Sequence, residues 1–215
     1  MKRPIIAYKD NLKSSTLRKD YQKIFNDIYI SGTRGKGGLG EANEEDIVLG
    51  TGKFIPGKIY TYEYDPLYKN ELDYFDRRPI ILCNGSYSAG TGNEILQGIN
   101  LNFLPEKARV QTLDVFYKSF ESTIKQSYQS AHHQKVFLNI SKIVSFFSEW
   151  LNVLKVFGDN GGVGYEFAYR NYIISRIKNL RYVEYDHWEM IPFLNPKEIT
   201  GASIADIYTT YWKTN

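Results

Sequence analysis

The chain predicts an α+β fold: a small curved antiparallel β-sheet or barrel, flanked by an amino-terminal helix and a carboxy-terminal helical bundle. Three observations carry that prediction. In the run from Lys9 to Ile30, apolar residues recur at spacings mostly of three, four and five, which is close to the helical period. From Lys53 to Leu104 the pattern changes to short alternating or apolar runs bounded by Asp-Pro, Asn-Gly and Gly-rich turns, which is how strands read. Beyond Pro105 the helical period returns. Helix, then strands, then helices is a segregated order, and it argues against alternating βαβ units.

Each element has its own reason. In the first helix Leu12, Leu17, Tyr21, Ile24, Phe25 and Ile28 form the apolar stripe, with basic residues on the outer face. SGTRGKGGLGEANEED follows, with five glycines between Gly32 and Gly40, too flexible for a helix or strand by itself. It reads as a loop or arm of the length that tends to carry function, and packing on another subunit is expected of it. In GKIYTYEYDP, Ile59, Thr61 and Glu63 alternate with Tyr60, Tyr62 and Tyr64, and Asp65-Pro66 supplies the turn. RRPIILCNG is a second strand ended by Asn84-Gly85, and EILQGINLNFL is a third. Pro105 then opens a helix where a missing N–H costs nothing, with Glu106 at the positive end of its dipole. That helix runs through Val110, Leu113, Phe116, Tyr117, Phe120 and Ile124. A second is expected from Gln134 to Phe157, and a third over YEFAYRNYIISRIKNLRYV, with Arg170, Arg176, Lys178 and Arg181 outward. Short pieces around His187–Met190 and Ser203–Tyr211 close the chain. The expected organisation is a helix and arm at 1–52, a β-unit at 53–104 and a helical region at 105–215.

Composition narrows the function classes. Of 215 residues 42% are hydrophobic and 24% charged, which excludes a disordered tail. Cys83 is the only cysteine, so no disulfide forms within the chain, and with three histidines a structural zinc site is not expected. No apolar run approaches the roughly 18 residues of a membrane span, and MKRPIIAYKD lacks a signal-peptide core. Synthesis in the cytosol and no membrane partner are the expectations. The net charge of +3 is unevenly spread: residues 1–40 carry 9 Lys/Arg against 3 Asp/Glu, and residues 41–80 carry 5 against 9.

Motifs for chemistry are weak. GKGGLG at 35–40 fits the dinucleotide-binding string, but the acidic EANEED that follows would repel phosphate. The phosphate-loop pattern is absent, because Phe54 follows Gly52-Lys53 and no glycine stands at position 47. Glu63, Asp65, Asp73 and Asp76 could be imagined as ligands of a nuclease-like metal centre, but a turn salt-bridged to Arg77 and Arg78 is the favoured account. No catalytic residue, metal or cofactor is expected. Basic residues carry more weight, since phosphates attract them through counterion release. Candidate DNA contacts are Arg18, Lys19, Lys23, Arg34, Lys36, Arg170, Arg176, Lys178 and Arg181.

Four stretches resemble the DNA end protector family of tailed bacteriophages. PGKIYTYEYDP is similar to that family's Gly-x-Ile/Met-Tyr strand ending in Tyr-Asp-Pro. LDYFDRRPIIL is similar to its Leu-Pro-Tyr-Tyr-Asp-x-x-Pro-Leu segment, and GINLNFLPEKAR to its Gly-x-Asn-Leu-His-Tyr-Leu-Pro segment with a following Arg. More faintly, the stretch from Tyr169 to Trp212 follows its Arg-Tyr-Leu, Ile-Arg and Glu-Trp order. Asn102 stands where the family usually has His, and His187 precedes Trp188 where it has Glu. The resemblance implies a non-enzymatic virion protein near the vertex through which DNA passes, either a multimeric connector of the portal, neck or tail region or a cap on the packaged DNA end. A ring of identical subunits, with portal, neck or tail proteins as partners, is implied. The alternative is a soluble DNA-binding protein that shields genome ends from exonuclease. Subunit contacts are expected at Gly35, Gly37, Leu39, Tyr60, Tyr62, Tyr64, Tyr74, Phe75, Trp188 and Trp212.

Overall fold

Helix α1 begins where Ser14, in extended conformation, accepts a hydrogen bond from the Leu17 N–H at 3.2 Å, satisfying one of the donors that a helix start leaves orphaned. It spans Ser15–Phe25 and widens into a π-helical turn over Asn26–Ile30, which buries Phe25 and Tyr29. The computed structural model describes residues 14–30, 54, 56–129, 162–196 and 199–212. The Gly-rich arm and the expected helix from Gln134 to Phe157 lie outside the described residues.

The strands are β1 (Ile59–Tyr64), β2 (Phe75–Asp76), β3 (Ile80–Ser88), β4 (Glu94–Asn100), β5 (Tyr169–Ile173), β6 (Ile177–Val183) and β7 (Ile199–Thr200). Five of them form one antiparallel sheet in the order β5-β4-β3-β1-β6, while β2 pairs with β7 apart from it. Helix α2 spans Glu106–Gln129, α3 Gly162–Ala168 and α4 Ile204–Tyr211. The fold is therefore α+β, as the sequence predicts.

Two local expectations are corrected. The stretch expected to be a third helix is mostly strand: after the short α3 it forms β5 and β6, joined by a 3-10 turn at Ile174–Arg176. Its tyrosines, isoleucines and valine suit a pleated surface, and pairing with β4 and β1 overrides the helical spacing. The second strand does not stop at Asn84-Gly85 either. It continues to Ser88 through a bulge, where the register shifts between Cys83 and Gly85 and Gly85 takes φ +142°.

The 3-10 turn decides the shape of the sheet. It joins β5 and β6, the two edge strands, which in a flat five-stranded sheet would stand about 19 Å apart. Four Cα steps reach at most about 14 Å even when fully extended, so the sheet must curl. Tyr64 on β1 bridges toward β5 by accepting a hydrogen bond from the Ile173 N–H at 3.2 Å. Among the described residues no ladder joins β5 to β6, so the sheet is curved without closing into a barrel.

Alternation along the strands feeds two cores. Ile59, Ile80, Leu82, Ile99 and Val183 face the helical layer, where Leu101, Leu104, Leu113, Phe116, Trp188, Ile191 and Ile207 are buried. Tyr60, Tyr62, Ile81, Cys83, Leu96 and Tyr172 fill the other side with Phe54. Gly98 permits this close approach, because a Cβ there would stand 2.4 Å from the Leu82 carbonyl oxygen.

Candidate functional site

The motif residues converge first on Asp76. Arg78 donates its backbone N–H to Asp76 Oδ1 at 2.9 Å, and Asn100 and Asn102 donate side-chain amides to Oδ2 at 2.9 and 2.8 Å. Asn100 also donates to the Tyr172 hydroxyl at 2.9 Å, and Asn102 to the Arg78 carbonyl at 3.0 Å. All of Asp76, Asn100 and Asn102 are buried, so the carboxylate ties β2 to the end of β4 through satisfied bonds. Asn102, the position that departs from the family pattern, stands inside this knot.

The arginine of the third motif forms a second knot. Arg109 is buried on α2 and donates to three carbonyl oxygens: Leu104 at 2.8 Å, Ile191 at 3.1 Å and Leu194 at 2.6 Å. Tyr208 of α4 donates to the carbonyls of Asn102 and Leu104, drawing the two knots together. A cleft of about 270 Å³ opens beside them, its lining mostly apolar but including Gln22, Asp76, Arg78 and Asn102. Its charged groups are already engaged, since Arg78 also pairs with Glu63 at 2.8 Å.

The acids of the β1–β3 segment disperse. Glu63 goes to Arg78, Asp76 to the knot, and Asp65 pairs with Lys69 at 3.1 Å. The hydrogen bond from Lys69, the largest cause, with the charges of Lys69, Arg176 and Lys178, lowers the Asp65 carboxyl from its usual range against an opposing desolvation. Among the described residues no group of three His, Cys, Asp or Glu is placed to hold a metal.

The basic candidates separate in the same way. Arg18 forms a forked pair with Glu106, at 2.9 and 2.6 Å, and lies over the Phe193 ring. Arg181 donates to the Ile28 carbonyl, and Arg176 and Lys178 lie near Asp65. Lys19 and Lys23 are exposed on α1. Arg170 lies over the rings of Phe167 and Phe103, at 4.2 and 5.1 Å from their centroids. Arg34 and Lys36 lie outside the described residues, as do Gly35, Gly37 and Leu39.

Several expected subunit-contact residues are taken up within the chain. Tyr60 and Tyr62 are buried on the sheet's inner side, while Trp188 donates its indole N–H to the Val183 carbonyl and Trp212 donates its own to that of Phe103. The surface of these four is buried within this chain's own core. Tyr64, Tyr74 and Phe75 remain half-buried. Arg109 and the Asp76 knot are not among the expected functional residues, although the motif strings LDYFDRRP and GINLNFLPEKAR contain them.

Residues 48–148 match the family model described as phage T4 terminal DNA protecting protein, a little under half of the chain, and the match supports the DNA end protector family of phages. The matched segment includes β1 through β4, the Asp76 knot and Arg109. No curated protein and no solved structure matches the chain. No described helix is long and apolar enough to cross a membrane.

Proposed function

We propose that this chain is a phage virion protein that works without catalysis at the end of the packaged DNA, held among portal, neck or tail subunits as a multimeric connector or cap. The observation that carries the reading is the family match over residues 48–148, together with what its motif residues do. Asp76, Asn100 and Arg109 are buried and bonded to the chain's own groups, which supports reading these motif residues as scaffold. A protein recognised by its scaffold suits an assembly part, with function carried by surfaces added to that scaffold. Cryo-electron microscopy of purified particles, with symmetry released at the portal vertex, tests this. Density for the chain around the portal or tail axis is expected. Its absence from particles, with the protein found only free in lysate, overturns the reading.

The soluble end-binding alternative draws support from exposed Lys19 and Lys23. It expects purified protein to slow exonuclease digestion of linear duplex, and that protection to fall steeply as salt rises. Digestion at an unchanged rate removes it.

A further inference from the structure

Arg170 differs from the other described arginines among the DNA candidates. Arg18 has Glu106, Arg181 has the Ile28 carbonyl and Arg176 lies near Asp65. Among the described residues no carboxylate pairs with Arg170. Its guanidinium lies 4.2 Å from the Phe167 centroid, and Tyr211 stacks on the same ring at 3.8 Å with an interplanar angle of 7°. Two groups that close cannot share one face, so Phe167 is sandwiched between them. Phe103 adds a second ring at 5.1 Å. Such stacking holds a planar cation in a fixed orientation.

Polar tips gather at the same place. The Tyr74 hydroxyl donates to that of Tyr211, and the Arg170 guanidinium lies beside Tyr74. Arg170 Nε is buried without a partner, the side chain as a whole is half-buried, and its guanidinium also hydrogen-bonds Tyr74. Because Tyr74 spends its proton on Tyr211, the Tyr211 proton is left over, and beside the oriented guanidinium it offers charge and a directed donor to a tetrahedral oxyanion. The residues come from four separate elements: the segment before β2, the end of α3, β5 and the end of α4. The tertiary fold thus builds the arrangement.

We propose that Arg170, Tyr74 and Tyr211 form a phosphate-binding site that takes a backbone phosphate of duplex DNA. This rests on the DNA-end reading above for the source of the phosphate, and the site can be tested apart from it. Binding of a short blunt duplex to full-length protein would be measured by fluorescence anisotropy across a salt series, for the wild type, Arg170→Gln and Tyr211→Phe. In parallel, thermal unfolding would be followed with and without inorganic phosphate. A backbone contact predicts about tenfold weaker duplex binding for Arg170→Gln, with the log–log salt slope reduced by about 0.9, the loss of one neutralised phosphate. Stabilisation by inorganic phosphate that Arg170→Gln abolishes, with duplex binding unaltered, supports the phosphate site and assigns it a free anion. Wild-type protein that binds no duplex refutes the DNA contact, and the phosphate arm then decides the site. Equal duplex affinity, equal slope and equal phosphate response in wild type and Arg170→Gln overturn the proposal. Tyr211→Phe keeps the ring stack and loses one donor, so its binding and phosphate response test the same contact if Arg170→Gln fails to fold.

Discussion

The two faces of the curled sheet are drawn from the same strands but filled differently. Toward the helices, aliphatic residues such as Ile59, Leu82 and Ile99 meet Leu113, Phe116 and Trp188 from other elements. On the inner side the curl supplies its own filling, and tyrosines dominate: Tyr60, Tyr62 and Tyr172 are buried, with Tyr62 meeting Tyr172 edge-on at 5.6 Å. One face depends on helix docking, the other on curvature. The Asp76 knot joins them, since Asn100 bonds both Asp76 and the inner Tyr172.

Alkaline pH should break the inner face first, and with the largest effect. Burial, followed by neighbouring tyrosines and acids, pushes the Tyr62 and Tyr172 phenols well above their ordinary value. In the unfolded chain tyrosines ionise near pH 10. Above that pH the unfolded state has lost protons that the native state keeps, so stability falls as pH rises from about 10 toward 12. Denaturation midpoints should be insensitive to these groups up to about pH 9 and decline beyond pH 10. A flat profile to pH 12 would show that the phenols are not buried.

Asp76→Ala strikes the joint between the faces. It removes the shared acceptor of one Asn100 N–H, one Asn102 N–H and the Arg78 backbone N–H, each costing about 1–3 kcal/mol when left unsatisfied. A loss of about 3 kcal/mol or more in urea unfolding is expected. A change below about 1 kcal/mol would mean that the knot is not a stabilising element. Gly98→Ala comes next, because its Cβ would meet the Leu82 carbonyl oxygen at 2.4 Å and backbone must shift. Overpacking of this kind costs roughly 1–3 kcal/mol, read in the same assay. Tyr62→Phe should have the smallest effect, neutral to slightly stabilising, since it removes a buried hydroxyl with no partner. Clear destabilisation by this substitution would reveal a partner for that hydroxyl.

The matched segment is the more legible part of the chain. Strand alternation in GKIYTYEYDP and the Pro105 start of α2 are local signals, and each element forms where those signals stand. The stretch after Gly164 reads as helix and folds as strand because Phe167, Tyr172, Ile173 and Ile177 suit either period, and neighbours far away in sequence make the choice. The basic candidates show the same limit. Positive charge at Arg18, Arg170 and Arg181 is plain in the sequence, but whether a carboxylate, a ring or a carbonyl lies beside each is a matter of contacts spanning up to 153 positions.

By itself the sequence determined the α+β class, the positions of β1 and the long helix, and the motif strings that place Asp76, Asn100 and Arg109, because helical and strand periods and turn chemistry act between near neighbours. Only the tertiary structure decided that β5 and β6 are the sheet's edges, that three residues between them force the curl, and that Tyr60 and Tyr62 turn inward. The same closure sets Arg170 on Phe167 beside Tyr74 and Tyr211. The physical reason is common to all of these: pairing and burial are settled between segments far apart in the chain, where local propensity carries no information.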